Sequence, residues 1–237
     1  WRREYPLDIA VVHVNHGIRP EAGEDARYVE KLCGEHRIPF FLTEADVRQR
    51  SILEKCSEEE AGRRTRYEAF DKAAEEWGAT KIAVAHNSND RSETQLFHLF
   101  RGTGLAGACG IRPVQGEIIR PLLFLERKEI EQWLQEQGIS FCTDATNLGD
   151  DYTRNRIRHH ILSYAEEEIV HGATANMNRA AKQLQEADEY VMRQTLAAVK
   201  RCCILTEHPK AASVKLSLLQ KEDPFIQKRL LFYTVCE

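Results

Sequence analysis

The chain has 237 residues, of which 42% are hydrophobic and 30% are charged, and its formal net charge is −4. This composition is typical of a folded globular protein and excludes general disorder, and the net charge argues against a protein that coats nucleic acid non-specifically. Every apolar run is shorter than the roughly 18 residues that cross a bilayer, so we expect no membrane association. The 7 cysteines form no C-x-x-C pair, which argues against a zinc knuckle and predicts reduced thiols in a cytoplasmic protein.

Both ends of the chain are unusual. It begins with Trp1 rather than methionine and enters an apolar run by Ile9, and it ends on the apolar segment 230–236. We therefore expect both ends to be cut from a longer protein.

Short apolar runs alternate with helical patterns over the first part of the chain. The predicted strands are 7–14, 39–42, 81–85 and 118–123. The predicted helices run from Ala22 to about Gly34, from Ser57 to Gly78, through Leu96 to Phe100, and over 126–137. The run at 7–14 is continuously apolar, as expected for a strand buried on both faces. This alternation predicts an α/β fold, a doubly wound parallel sheet with right-handed crossovers.

The strand signals disappear from about Tyr152 onward. Residues 154–163 and 174–201 are predicted as helices, the second long and amphipathic, and 214–236 is predicted to be helical as well. The chain is thus predicted to consist of a first domain, 1–165, and a helical region, 166–237.

Two predicted helices begin with a capping-box pattern, Ser57 with Glu60 and Asp90 with Glu93. In such a box each side chain accepts a hydrogen bond from the other residue's backbone N–H. For Asp90 and Glu93 this structural interpretation is compatible with a functional one, because a helix N-terminus is also an anion site.

Polar side chains follow two of the predicted strands. The first strand leads to His13, Asn15, His16 and Arg19. The strand at 81–85 leads to His86, Asn87, Asn89 and Asp90. Because ligands of open parallel sheets bind beyond the carboxyl ends of the strands, these side chains predict a functional site. Buried structural histidines are the alternative, and no metal site is predicted because the spacing lacks an H-E-x-x-H or H-x-H motif.

Two arginine-rich stretches offer ligands for anions. Arg63 and Arg66 share a face of their predicted helix and can present two guanidinium groups to one anion, although a solvated face paired with 58–60 explains them equally well. The second stretch has no acidic residue between Asp151 and Glu166, which favours phosphate contacts on RNA. Its predicted RNA ligands are Arg154, Asn155, Arg156 and Arg158.

Seven blocks between about residues 9 and 162 resemble, in order, the tRNA(Ile)-lysidine synthetase family. They are 13–19, 60–67, 85–94, 101–107, 120–123, 144–147 and 154–158. The resemblance implies an N-type ATP pyrophosphatase with the adenine nucleotide alpha hydrolase-like fold, whose first strand would precede this chain. It implies a ligase that uses ATP to adenylate the C2 oxygen of the first anticodon cytidine of tRNA(Ile). Free L-lysine then displaces AMP, which gives lysidine and converts methionine decoding to isoleucine decoding.

The resemblance also implies roles for single residues. The implied nucleotide ligands are His13, Asn15, His16, Arg66 and His86. The implied catalytic residues are Arg66, His86, Asp90 and Glu93. Arg66 and His86, together with Mg²⁺, would stabilise the negative charge that develops on pyrophosphate. Asp90 and Glu93 would supply carboxylates to the cationic lysine.

The chain departs from the family pattern in two respects. Asn87 and Asn89 stand where the family usually has His and Asp, and the second replacement removes one negative charge. The family's Ser-Gly-Gly-x-Asp-Ser loop, which surrounds the ATP phosphates, would have to precede residue 1. We therefore expect this chain alone neither to bind ATP tightly nor to modify tRNA.

Two other functions stay open. The first is a related tRNA thiolase, but thiolases typically carry a C-x-x-C motif where this chain has Cys56 and Glu59. The second is a non-catalytic RNA-binding relative that retains the sheet. A homodimer is also open, because the sequence does not determine the oligomeric state.

Overall fold

The computed structural model describes residues 7–18, 22–141, 149–150, 153–207 and 210–236, without the side chains of Glu207, Lys210 and Cys236. Arg19 and the 144–147 block lie outside these ranges. The chain divides into two compact units. Unit 1 comprises Trp1–Ala85, Val114–Pro121 and Ser140–Cys142, and unit 2 comprises His86–Pro113, Leu122–Ile139 and Thr143–Glu237. The domain boundary predicted after residue 165 stays a prediction.

Unit 1 combines parallel strand pairs with helices, as the α/β prediction requires. Its strands are β1 (Val11–Asn15), β2 (Phe40–Glu44), β3 (Ile82–Ala83), β4 (Val114–Gln115) and β5 (Ile118–Ile119). Its helices are α1 (Ala22–His36), α2 (Val47–Glu54) and α3 (Glu58–Trp77). β1 pairs in parallel with β2, and β3 pairs in parallel with β5, which β4 joins in antiparallel orientation. The α/β class is therefore confirmed, although β3 and β5 are shorter than predicted.

β1 differs from the fully buried strand predicted at 7–14. It begins at Val11, and all of its side chains are half-buried. Within the described residues its sheet has two strands, in the register Val11 to Phe40 through Asn15 to Glu44. Among the described residues β1 is an edge strand, so on its outer edge no neighbouring strand shields its side chains from solvent.

Caps and left-handed residues set the helix ends in unit 1. The hydroxyl of Ser57 accepts a hydrogen bond from Glu60 N at 3.2 Å, and α3 ends at Gly78 with φ 70°, as predicted. The Glu60 carboxylate does not complete the predicted capping box, because it accepts from Arg64 Nε at 3.0 Å instead. α1 continues two residues past the predicted end near Gly34 to His36, and Arg37, whose φ is 53°, follows it.

Unit 2 is mainly helical. Its helices are α4 (Ser88–Phe100), α5 (Leu105–Ala108), α6 (Arg127–Glu136), α7 (Thr153–Arg156), α8 (Ala173–Cys202), α9 (Leu216–Leu219) and α10 (Pro224–Cys236). Two π-helical segments, Ile157–Leu162 and Ala165–Ile169, follow α7. Among the helices that the structure describes, none is long and apolar enough to cross a membrane.

An antiparallel hairpin corrects the prediction that strands end before Tyr152. It consists of β6 (Cys203–Glu207) and β7 (Lys210–Val214), with Cys203 opposite Val214. The β-branched residues Ile204 and Thr206 favour the extended conformation. Residues 214–236 are not one continuous helix either, because Val214 ends β7 and the rest of the segment contains the separate helices α9 and α10.

Unit 2 buries an acidic residue among its helices. Asp188 in α8 is 2% exposed, and its carboxylate accepts hydrogen bonds from Arg112 and from Arg229 Nη2, the latter at 3.3 Å. The nearby apolar core packs α8 against α9 and α10, and it contains Ala198, Val199, Cys202, Leu219 and Leu230. Asp188 therefore joins α10 to α8 through charge while the apolar core joins them by packing.

We expect Asp188→Ala to lower the free energy of unfolding by about 3 kcal/mol, because it leaves two partly buried guanidinium groups without their shared carboxylate. Urea denaturation followed by circular dichroism measures this loss. Glu189→Ala is the control, since Glu189 is exposed and its described partner is Gln185. Equal stability of the two variants would contradict a structural role of Asp188.

Candidate functional sites in the two units

The end of β1 places two imidazoles beside a tight turn. His13 lies in β1 and His16 follows it, and both are half-buried. The turn is fixed by Asn15, whose Oδ1 accepts a hydrogen bond from Gly17 N at 3.0 Å. Gly17 has φ 65°, and a Cβ at this position would lie 2.9 Å from Ala45 O, so the turn requires glycine.

The imidazole of His16 lies against α3. Its Nδ1 and Cε1 atoms are 3.9 Å from the position of a Cβ on Gly62, one turn before Arg66 on the same helix. The Nδ1 atom is buried and finds no hydrogen-bond partner within the described residues. His13, His16 and Arg66, which we call the imidazole cluster, therefore lie together in unit 1.

The positive charge of the imidazole cluster is that of the Arg66 guanidinium. Burial lowers the pKa of His16, and the charges of Arg66 and His13 lower it further. Burial also lowers the pKa of His13, against the opposing effect of Asp25. Both imidazoles are therefore neutral at pH 7, where each can donate and accept one hydrogen bond beside a permanent guanidinium charge.

A second group of charges lies in unit 2, where Arg158 binds Glu93 with two hydrogen bonds. Arg158 Nε donates to Glu93 Oε1 at 2.6 Å, and Nη2 donates to Oε2 at 3.1 Å. Asp90 Oδ1 lies 3.8 Å from the same Nη2. Glu93 is 2% exposed; burial raises the pKa of Glu93, and the hydrogen bonds from Arg158 oppose this rise. We call Asp90, Glu93 and Arg158 the carboxylate cluster.

The pairing with Glu93 changes the interpretation of Arg158. The sequence groups Arg158 with the RNA ligands, but two of its nitrogens are engaged by a buried carboxylate. Asn155 is 6% exposed, Arg154 is half-buried and Arg156 is exposed. RNA contacts by these four residues stay a prediction, and Arg156 is the most accessible of them.

The π-helical segment explains why an α-helical spacing does not predict which side chains of this stretch are buried. Ser163 N donates to Arg158 O, five residues earlier, in place of the four-residue spacing of an α-helix. Ile157 and Leu162, also five apart, are both buried, whereas Ile161, which an α-helical spacing would place on the face of Ile157, is 40% exposed.

The start of α4 lies one turn earlier than predicted. Asn87 Oδ1 accepts from Asp90 N at 3.1 Å, and Asp90 Oδ2 accepts from Asn87 N at 2.8 Å, which completes a capping box. The predicted box of Asp90 with Glu93 is therefore wrong. Asn89 Oδ1 accepts from Arg127 N at 3.0 Å and caps α6. Asn87 and Asn89 thus both act as helix caps.

His86 is half-buried in the segment between β3 and α4. Its role, and the association of the imidazole cluster with the carboxylate cluster in one site, stay predictions. Among the described side chains, no group of three or more His, Cys, Asp or Glu is arranged to hold a metal ion.

Unit 2 also contains an acidic pocket of about 620 Å³. Its acidic and basic lining residues are Glu126, Lys128, Glu166, Glu167, Glu168 and His171. Glu166 accepts from Gly172 N and Thr174 N, both at 2.8 Å, and the bond from Thr174 lowers the pKa of Glu166. This pocket disfavours phosphate groups, and the sequence patterns gave no indication of it.

We expect Arg66→Gln to raise the pKa of His16, because it removes one of the charges that oppose protonation. The pKa of His13, which Arg66 does not shift, is expected to change less. Titration of the imidazole resonances by ¹⁵N-correlated NMR measures both values. Arg63→Gln is the matched control, since its guanidinium lies over the Tyr67 ring at 5.3 Å. An unchanged pKa of His16 in Arg66→Gln would disprove the imidazole cluster.

We expect Arg158→Met to destabilise the fold by about 3–5 kcal/mol at neutral pH, because it leaves a buried carboxylate unpaired. The folded-state pKa of Glu93 then rises further above its unfolded value. The variant therefore keeps its free energy of unfolding below the unfolded-state pKa of Glu93. It loses this free energy as the pH rises through the folded-state pKa of Glu93. Urea unfolding across this pH range measures the effect.

The double variant Glu93→Gln/Arg158→Met is expected to recover most of this loss, because it removes the unpaired charge. Arg156→Met is the control from the exposed part of the same segment. A loss in Arg158→Met that does not depend on pH would contradict the assignment.

Comparison with curated proteins finds relatives that share one description, tRNA(Ile)-lysidine synthase. The chain is 41% identical over 229 residues to a tRNA(Ile)-lysidine synthase of Caldanaerobacter subterraneus subsp. tengcongensis, a match that covers 96% of this chain and 49% of that protein. It is 46% identical over 156 residues to a tRNA(Ile)-lysidine synthase of Bacteroides thetaiotaomicron, covering 65% of this chain and 37% of that protein. The chain spans about half the length of the first of these relatives and less of the second.

A solved structure shares the fold. A U34-tRNA thiolase from Methanococcus maripaludis, determined with its [4Fe-4S] cluster, matches with a TM-score of 0.60 and 17% identity. The match covers 74% of this chain and 61% of that chain, and at this identity it supports the fold alone. The family defined by the PP-loop domain matches residues 1–165, which include the imidazole cluster and all of the carboxylate cluster. On this match and the shared fold, the chain belongs to the PP-loop domain family.

Proposed function

We propose that this chain is the nucleotide-using part of a tRNA(Ile)-lysidine synthase. The reaction joins free L-lysine to C2 of the first anticodon cytidine of tRNA(Ile) through an adenylated intermediate, in the cytoplasm. The observation that carries this proposal is the similarity to lysidine synthases, which extends over 96% of the chain at 41% identity. The charges of the two clusters suit this chemistry.

The imidazole cluster fits the anionic part of ATP. Arg66 is exposed and offers a permanent guanidinium, and the buried Nδ1 of His16 lacks a hydrogen-bond partner among the described residues. ATP, with Mg²⁺, would supply an activated phosphorus and a leaving group. The chain would contribute Arg66 as a fixed charge for phosphate oxygens and His13, Asn15 and His16 as hydrogen-bonding groups.

The carboxylate cluster fits the ammonium group of free lysine. Both oxygens of Glu93 are occupied by Arg158, whereas Asp90 has a side chain that is 25% exposed and lies 3.8 Å from Arg158. Asp90 is therefore the carboxylate with room to accept a cationic amine. Glu93 would balance the charge of Arg158, and burial raises the pKa of Glu93 against the opposing hydrogen bonds from Arg158.

The tRNA would contact the basic stretch at 154–158. Arg156 is exposed, with its guanidinium free to reach a phosphate after breaking a 3.1 Å bond to Thr153. Arg154 is half-buried, and Asn155 is expected to support the backbone through its 2.8 Å bond to Gly149 O. A homodimer remains a further proposal about the assembly.

A chimaera tests the proposed reaction. This chain would replace the matching half of the Caldanaerobacter relative, and lysidine in tRNA(Ile) would be measured by mass spectrometry after incubation with ATP and lysine. We expect lysidine to form. Asp90→Asn is expected to lower kcat/KM for lysine by about 50-fold, because an ion pair with the ammonium group is lost.

The asparagine at position 90 can still accept the hydrogen bond from Asn87 N, so the cap of α4 is preserved. Asp71→Asn, an exposed carboxylate of α3, is the matched control. A folded chimaera that forms thiolated cytidine or uridine, or no modified base at all, would refute the proposal.

A further inference from the structure

One amide of α8 contacts the start of α4 at two points and the start of its own helix at a third. Asn178 Nδ2 lies 3.0 Å from Ser88 O, 2.9 Å from Ser92 Oγ and 2.9 Å from Thr174 O. Ser88 is the first residue of α4, and Ser92 lies one turn later. The amide therefore ties the start of α4 to the start of α8 inside unit 2.

The chemistry of the three contacts fixes the orientation of the amide. Two of the three oxygens are carbonyl groups, which can only accept, so the NH₂ side of Asn178 must face them. Its Oδ1 atom is buried and has no partner among the described residues. Rotating the amide would set Oδ1 against those carbonyl groups and lose both bonds to them, so the donor function is the one that this position uses.

The turn that Asn178 holds is the turn that presents the carboxylate cluster. Ser92 is fully buried at 0% exposure, and it lies between Asp90 and Glu93 in the chain. Its hydroxyl is also 3.3 Å from Ser88 O, so both contacts of Asn178 belong to one hydrogen-bonded turn. The capping box of Asn87 and Asp90 holds the backbone at the solvent end of this turn. Asn178 holds the opposite, buried side.

We infer that Asn178 is a positioning residue for the carboxylate cluster, and this inference rests on the proposed function. Without its NH₂ group, Ser88 O and Ser92 Oγ lose a buried donor, and the turn must shift to find others. Such a shift moves Asp90 and Glu93 relative to Arg158, which approaches them from the π-helical segment. The helical region, through one side chain, thus sets the geometry at which an amino-acid ammonium group binds.

The first experiment uses the chain itself and does not depend on activity. In Asn178→Ala we expect amide hydrogen exchange to accelerate about tenfold in peptides covering 88–94, because a buried hydrogen bond to that turn is lost. Exchange in α3 and in the second half of α8 should stay unchanged. Gln185→Ala, which removes an amide bonded to Glu189 on the same helix, is the matched control. Equal exchange at 88–94 in the two variants would overturn the inference.

The second experiment measures lysine kinetics in the chimaera. Asn178→Ala is expected to raise KM for lysine about tenfold and to change kcat less than threefold, because binding geometry and not chemistry is disturbed. Asn178→Asp keeps the shape but turns the donor into an acceptor at neutral pH. Its KM for lysine should therefore rise at least as much as that of Asn178→Ala.

The two experiments separate the possible failures. A chimaera without lysidine activity would reject the proposed function, while the exchange measurement would still decide whether Asn178 holds the turn. Faster exchange with unchanged lysine kinetics would leave the function standing and overturn the positioning role. An equal effect of Asn178→Ala on KM for lysine and for ATP would also overturn it.

Discussion

The buried ion pair of Glu93 and Arg158 constrains how α4 and the π-helical segment of unit 2 pack together. Glu93 is 2% exposed, so its charge is compatible with the fold only while a guanidinium lies against it. This requirement fixes the π-helical segment against α4, and it leaves Asp90 beside the pair as the more accessible carboxylate. Folding and the proposed amine recognition thus depend on the same electrostatic balance.

Local rules were sufficient for much of the fold. The alternation of strands and helices predicted the parallel pairs of unit 1, and Ser57 and Gly78 predicted both ends of α3, because these features depend on neighbouring residues. The hairpin at 203–214 and the π-helical segment were not predicted. Short strands leave a weak periodic signal, and a π-helical turn is indistinguishable from an α-helical turn in a hydrophobic pattern.

The sequence predicted which residues belong to the candidate sites, but not which of their side chains contact one another. The sequence indicated Asp90 and Glu93 as functional and Arg158 as an RNA ligand. Glu93 and Arg158 are 65 positions apart, however, so their ion pair depends on tertiary packing. Asn87 and Asn89 illustrate the opposite case. Their departure from the usual residues looks like a loss of site charge, whereas both side chains serve as caps of α4 and α6.

The outer edge of β1, in the two-stranded sheet of β1 and β2, has a consequence for strand pairing. On the side away from β2, the described chain offers no strand to pair with the backbone N–H and C=O groups of β1. A regular, largely apolar strand edge of this kind is a template for intermolecular β-pairing. Among the described residues, this edge is therefore where a partner peptide or a further strand could add to the sheet by backbone hydrogen bonds.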